Sequence, residues 1–156
     1  MFKTIVWATD GSELADRALP VVTGLARAHR SKIVAVHATE ILAGRFGGGP
    51  LLADDPELVG KIERQVEELR RAGFTAELRI VRGIDGVAAM IAHTAASVEA
   101  SLIVLGTHGH NGFTAAFVGS VARGLLHEAE CPVLAVPPQK RLSTASRQSR
   151  VAAGVG

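Results

Sequence analysis

The chain has 156 residues, of which 47% are hydrophobic, enough for one domain built on one substantial core. A formal net charge of +2, with five Phe, one Trp and no Tyr, argues against a nucleic-acid-binding field or a base-stacking surface. The single cysteine, Cys131, excludes an intramolecular disulfide. Apolar runs, the opening one included, are too short for a signal peptide or a membrane span, so a soluble cytoplasmic protein without membrane partners is expected.

Short β-branched runs alternate with amphipathic ones. Lys3–Thr9 reads as a strand. Ser12 to Arg30 reads as one helix with Leu14, Ala18, Leu19, Val22, Leu25 and Ala26 on a shared face, and Pro20 inside it should kink it. Lys32–Thr39 is the second strand, followed by a glycine-rich loop over residues 43–53. Asp55–Pro56 supplies an N-cap and a first-turn proline to a helix that runs to Gly73. Thr75–Val81 is the third strand. Asp85 is expected to cap the next helix, which carries Val87, Ile91, Ala95 and Val98. Ser101–Leu105 is the fourth strand, Gly119 to Glu130 the last helix and Pro132–Val136 the fifth strand. Beyond Pro137–Pro138, residues 139–156 are basic, Ser-rich and without apolar period. They read as a disordered tail; a contact arm or serine modification at Ser143, Ser146 or Ser149 is the other possibility.

Strictly alternating strands and helices imply a parallel sheet with helices on both faces and right-handed crossovers. Ligands of such sheets bind at the carboxyl ends of the strands. Two loops should lie there: Thr9–Gly11, and residues 106–119, which run GTHGHNGFTAAFVG. The second joins an apolar strand to a helix start at Gly119–Ser120. Backbone N–H groups and the positive end of a helix suit an anion, and glycines admit its close approach. No G-x-x-x-x-G-K-[ST] occurs.

Gly106-x-x-Gly109, nine residues, then Gly119–Ser120 resembles the ATP-binding signature of the universal stress protein family. The opening Ile5–Ser12 run resembles that family's first strand and its Asp-bearing turn, and His37, Gly83 and Pro132–Leu134 sit at matching places. The resemblance covers residues 1–138, which are expected to form the domain. It implies a three-layer, Rossmann-like fold of the adenine nucleotide alpha hydrolase-like type, with five parallel strands in the order 3-2-1-4-5. It also implies that ATP is bound. Gly106 and Gly109 would pass close to ribose and phosphates. Gly119, the Ser120 hydroxyl and the Val121 N–H would hold phosphate, with His108 facing it. Ala8 and Thr9 would line the adenine side, joined by Ala38 where the family often has valine. Asp10 would meet the ribose hydroxyls or a bound Mg²⁺. Strand 132–136 would pair with its copy in a homodimer.

The resemblance implies a nucleotide-dependent regulator or sensor in stress response. A slow Mg-dependent ATP hydrolase and a dimerisation module without nucleotide remain as alternatives. Phosphoryl transfer needs charge stabilisation at the leaving phosphoryl, and no Lys or Arg lies between Gly106 and Gly119; Arg123 is the nearest. A phospho-acceptor receiver domain is disfavoured, because Gly83 follows the third strand and Pro137–Pro138 the fifth. His108 and His110 lack a third ligand nearby, His37 reads as a packed strand-end residue, and Cys131 as an inert one.

Overall fold

Five strands form one parallel sheet: β1 (Thr4–Ala8), β2 (Lys32–Glu40), β3 (Ala76–Gly83), β4 (Leu102–Gly106) and β5 (Val133–Val136), in the order β3-β2-β1-β4-β5. The structure, a computed structural model, describes residues 1–41, 55–107 and 119–137. The expected glycine-rich loop 43–53, His108, Gly109, His110 and the tail 139–156 lie outside them.

Period-two alternation along β1 divides the core. Ile5 and Trp7 join Val22, Ala26, Val66 and Leu69 on one side of the sheet. Val6 and Ala8 join Ile91, Ala95, Ala122 and Leu125 on the other. A parallel strand covered on both faces must be apolar throughout, and β1 and β2 are buried along nearly their whole length.

Among the described residues, five helices cover the sheet: α1 (Glu13–Asp16), α2 (Leu19–His29), α3 (Pro56–Arg71), α4 (Val87–Ser97) and α5 (Ser120–Glu128). The single helix expected over Ser12–Arg30 is therefore two, broken at Arg17 and Ala18. Pro20 stands in the first turn of α2, where the missing N–H is one the helix leaves unpaired anyway, so it starts a helix and kinks none. Asp55 caps α3 as expected, accepting from the Glu57 N–H at 2.9 Å. Asp85 does not cap α4: the N-cap is Gly86, at φ +80°, with no side-chain cap bond.

The register sets Ala8 opposite both Val36 and Leu105. The carboxyl ends of β1 and β4 thus lie side by side where the strand order reverses, with β2 on one flank of β1 and β4 on the other. That is where an open parallel sheet leaves a crevice.

Candidate nucleotide-binding cleft

The turn after β1 is fixed by its own side chains. Thr9 Oγ1 accepts from the Gly11 N–H at 3.1 Å. Asp10 Oδ1 accepts from both the N–H and the hydroxyl of Ser12, at 3.0 and 2.6 Å. Ser12 Oγ in turn caps α1 by accepting from the Ala15 N–H at 3.2 Å. Gly11 has φ +75°, a conformation that few side-chain-bearing residues tolerate.

His37 braces this turn from β2. It is buried, its Nδ1 lies 3.0 Å from Thr9 O and its Nε2 3.3 Å from Thr39 Oγ1. A carbonyl can only accept, so Nδ1 donates to Thr9 O. The residue expected as strand-end packing is packed, and also holds a peptide of the turn.

The other wall comes from β4 and α5. Thr107 N–H donates to Val136 O at 3.0 Å, and Thr107 O accepts from the Gly119 N–H at 2.7 Å. Thr107 and Gly119 are therefore bonded directly to each other. Gly119 is the N-cap of α5, with no side-chain cap bond, and the first bond into the helix runs from Arg123 N–H to Gly119 O at 3.0 Å. The N–H groups of Ser120, Val121 and Ala122 precede that bond and have no partner among the described residues. The Gly119 N–H, expected to face a ligand, is spent on Thr107, and Ala122 takes its place in the trio.

Between these walls lies a cavity of about 350 Å³. Of the sequence-expected site residues, Ala8, Thr9, Asp10, Ala38, Gly106, Gly119, Ser120 and Val121 all line it. His108 and Gly109 fall outside the described residues. Six lining residues were not among those expected: Ala15, Val87, Ile91, Leu105, Thr107 and Ala122. Val87 and Ile91 share a face of α4 that the apolar period marks only as core; what marks them further is that α4 begins at the carboxyl edge of the sheet. Thr107 carried a signal, as the first polar residue after the apolar run of β4. The described lining is apolar along α4 and the strand ends and polar at the mouth of α5, and Asp10 is the one charged side chain among the described residues that line it. Such a surface suits a flat apolar group joined to an anion.

Gly106 shapes the cavity by packing. A Cβ there would stand 2.8 Å from Leu14 O and 3.4 Å from Ala15 Cα, so the bare backbone admits α1 over the end of β4. Cys131 is half-buried beside the second core, and burial, with the charge of Glu130, raises its thiol pKa. That is the environment of an unreactive thiol.

An open parallel α/β sheet with an uncapped helix start at its switch point defines the doubly wound α/β class. Residues 1–137 match the Universal stress protein family, and the chain belongs to that family. A universal stress protein of Thermus aquaticus is 32% identical over 145 residues, covering 87% of this chain and 99% of the relative. Among solved structures, a universal stress protein in complex with cAMP aligns over 86% of this chain and 96% of its own, at TM-score 0.63 and 23% identity. The universal stress protein from Archaeoglobus fulgidus in complex with dAMP aligns over 86% and 97%, at TM-score 0.59 and 23% identity. At that identity the two structures bear on the fold. No helix among the described residues is long and apolar enough to cross a membrane.

Proposed function

We propose that the protein binds an adenine nucleotide, ATP, in the cleft between β1, β4 and α5 and acts as a nucleotide-dependent regulator or sensor in stress response. The observation that carries this is the uncapped start of α5: the N–H groups of Ser120, Val121 and Ala122 open onto a cavity whose deeper wall is apolar. Ala8, Ala38, Val87 and Ile91 would enclose the base, and Ser120 and Val121 the phosphates. The two structural relatives solved with cAMP and dAMP support an adenine ligand in this fold.

Mg²⁺ fits only together with the ligand. Among the described residues Asp10 is the single carboxylate of the lining, its Oδ1 already accepts two bonds from Ser12, and no group of three metal-binding side chains occurs. Magnesium commonly joins one or two carboxylates to phosphate oxygens, which is the arrangement Asp10 could complete. The described lining offers no Lys, Arg or His to stand beside a leaving phosphoryl group, which supports binding over turnover. Slow Mg-dependent hydrolysis is the alternative.

Strand β5 closes one side of the sheet, with Leu134 38% exposed and Val133, Ala135 and Val136 half-buried. An unpaired edge favours strand addition, so we assign the homodimer contact to residues 132–136. Mass spectrometry of the gently denatured protein, followed by calorimetric titration with ATP and cAMP, tests the ligand. Micromolar ATP affinity is the expected result, and no affinity for either nucleotide would sink the proposal. Sedimentation at micromolar protein tests the dimer.

A further inference from the structure

Lys61 does not line the cavity, yet it reaches the two elements that shape it. From the middle of α3 its Nζ donates to Gly11 O at 2.7 Å and pairs with Asp16 Oδ2. Gln65, one turn on, donates from Nε2 to the other Asp16 oxygen at 2.8 Å. Leu58, one turn back, closes over Gly11: a Cβ at position 11 would stand 3.2 Å from both Cβ and Cδ2 of Leu58. One stripe of α3 thus engages both ends of the stretch from Gly11 to Asp16. Among the described residues, the other α3 ion pairs stay within the helix, from Glu67 to Arg70 and Arg71.

The stretch has little else to hold it from that side. α1 has four residues, too few to be stable alone. Its carboxyl end is anchored by Asp16, and its start by the Asp10–Ser12 bonds. Lys61 grips both ends at once, while the main chain of Leu14 between them rests on Gly106. Gln65 Oε1 is buried with no partner among the described residues, a cost its amide bond to Asp16 helps to offset.

We propose that Lys61 is a positioning residue for nucleotide binding, which rests on the reading of the cleft as an adenine-nucleotide site. By fixing the Gly11 peptide it sets the Asp10 carboxylate, and by holding Asp16 it keeps α1 seated over the end of β4. The ammonium group acts through Asp10 and touches no ligand.

The test is calorimetric ATP titration in the presence of Mg²⁺, with the full chain, Lys61→Met, Lys61→Arg, Asp10→Ala and the double variant Asp10→Ala/Lys61→Met. Lys61→Met should weaken ATP binding on the order of tenfold, as expected for members of one bonded network. Lys61→Arg, which keeps a charged donor, should recover most of the loss. In the Asp10→Ala background, Lys61→Met should add less than about twofold. Equal affinity of Lys61→Met and wild type, or the same loss with and without Asp10, overturns the role of Lys61 and leaves the nucleotide reading standing. A wild-type chain that binds no nucleotide overturns both. If Lys61→Met fails to fold, Asp16→Asn carries the same comparison. Amide exchange at Ser12 and Ala15 in the ligand-free protein should quicken in either variant; unchanged exchange counts against the lock.

Discussion

Gly106 and Leu14 meet main chain to main chain: a Cβ on Gly106 would lie 2.8 Å from Leu14 O. The glycine that a sequence signature ties to a ligand is therefore demanded first by the fold. Gly106→Ala must push α1 off the end of β4, at a cost of about 1–3 kcal/mol. The same displacement moves Leu14 and Ala15, and with Ala15 one wall of the cavity. Gly24→Ala is the control, since Gly24 is an exposed position of α2 where a Cβ meets nothing within 4 Å. It should stabilise by up to about 1 kcal/mol. Urea unfolding of both variants reads the difference in sign.

Gly124 plays the corresponding part between α4 and α5. A Cβ added there would fall 2.6 Å from the Cβ of Ala88, so the two helices approach at that contact. Gly124→Ala should cost about 1–3 kcal/mol. Removing the opposing methyl in Gly124→Ala/Ala88→Gly should return part of that loss, beyond what the single variants predict by addition. A strictly additive double variant would mean that the contact does not set the helix spacing.

The parallel sheet was legible because alternating apolar runs leave few α/β topologies, whereas its strand order came only through the family resemblance. That Thr9, Asp10 and Gly119–Ser120 lie at the cleft was legible because strand ends and a helix start can be placed from the same runs; Ala8 and Ala38 came through the resemblance. Three things were not. The break at Arg17–Ala18 is hidden because the apolar stripe continues in phase through it, although a proline compatible with a first turn was the available hint. The Gly86 cap of α4 gives no side-chain signal, whereas Asp85 mimics one. The bonds of Lys61 to Gly11 and Asp16 join residues about fifty positions apart, and nothing local in Lys61 distinguishes it from any charged residue on an amphipathic helix.

Lys32, Glu77 and Arg79 tie β2 to the edge strand β3. Glu77 Oε2 lies 2.8 Å from Lys32 Nζ, and Oε1 3.3 Å from Arg79. The Lys32 hydrogen bond, followed by the charges of Lys32 and Arg79, holds the Glu77 carboxyl below the usual glutamate range against an opposing effect of burial. A carboxyl lowered in the folded state stabilises above its unfolded pKa, and that stability is lost as pH falls through the folded value. Thermal unfolding of Glu77→Gln should therefore fall below wild type near neutral pH, by no more than about 1 kcal/mol for a pair this exposed. The two curves should converge below the carboxylate range. A difference that persists in acid would assign the effect to packing.

Arg30 holds φ +55° at the carboxyl end of α2, a left-handed position taken without glycine. Its N–H still closes the helix by donating to Ala26 O. Arg30→Gly keeps that bond and removes the side-chain penalty, at the loss of one cation near a helix C-terminus. The net expectation is a gain of about 0.5–1 kcal/mol, read as a shift of the urea midpoint with unchanged slope.

Ser120 separates stability from binding by sign. It is exposed at the first position of α5, which lacks both a side-chain cap bond and an acidic residue in its first turn. A carboxylate there complements the helix dipole, so Ser120→Asp should stabilise the ligand-free protein by about 0.3–1 kcal/mol. The same carboxylate would stand where the proposed phosphates lie, and like charges at close range repel. ATP affinity should then fall by tenfold or more (roughly 1.4 kcal/mol for each factor of ten), with the larger part of the loss screened at high salt. Ser120→Ala removes only a hydroxyl and should cost about 0.5–1.5 kcal/mol of binding with little effect on folding. Urea unfolding and calorimetry on the same three proteins decide the matter. An Ser120→Asp variant that is more stable and binds ATP as wild type does would place the anion elsewhere than at the start of α5.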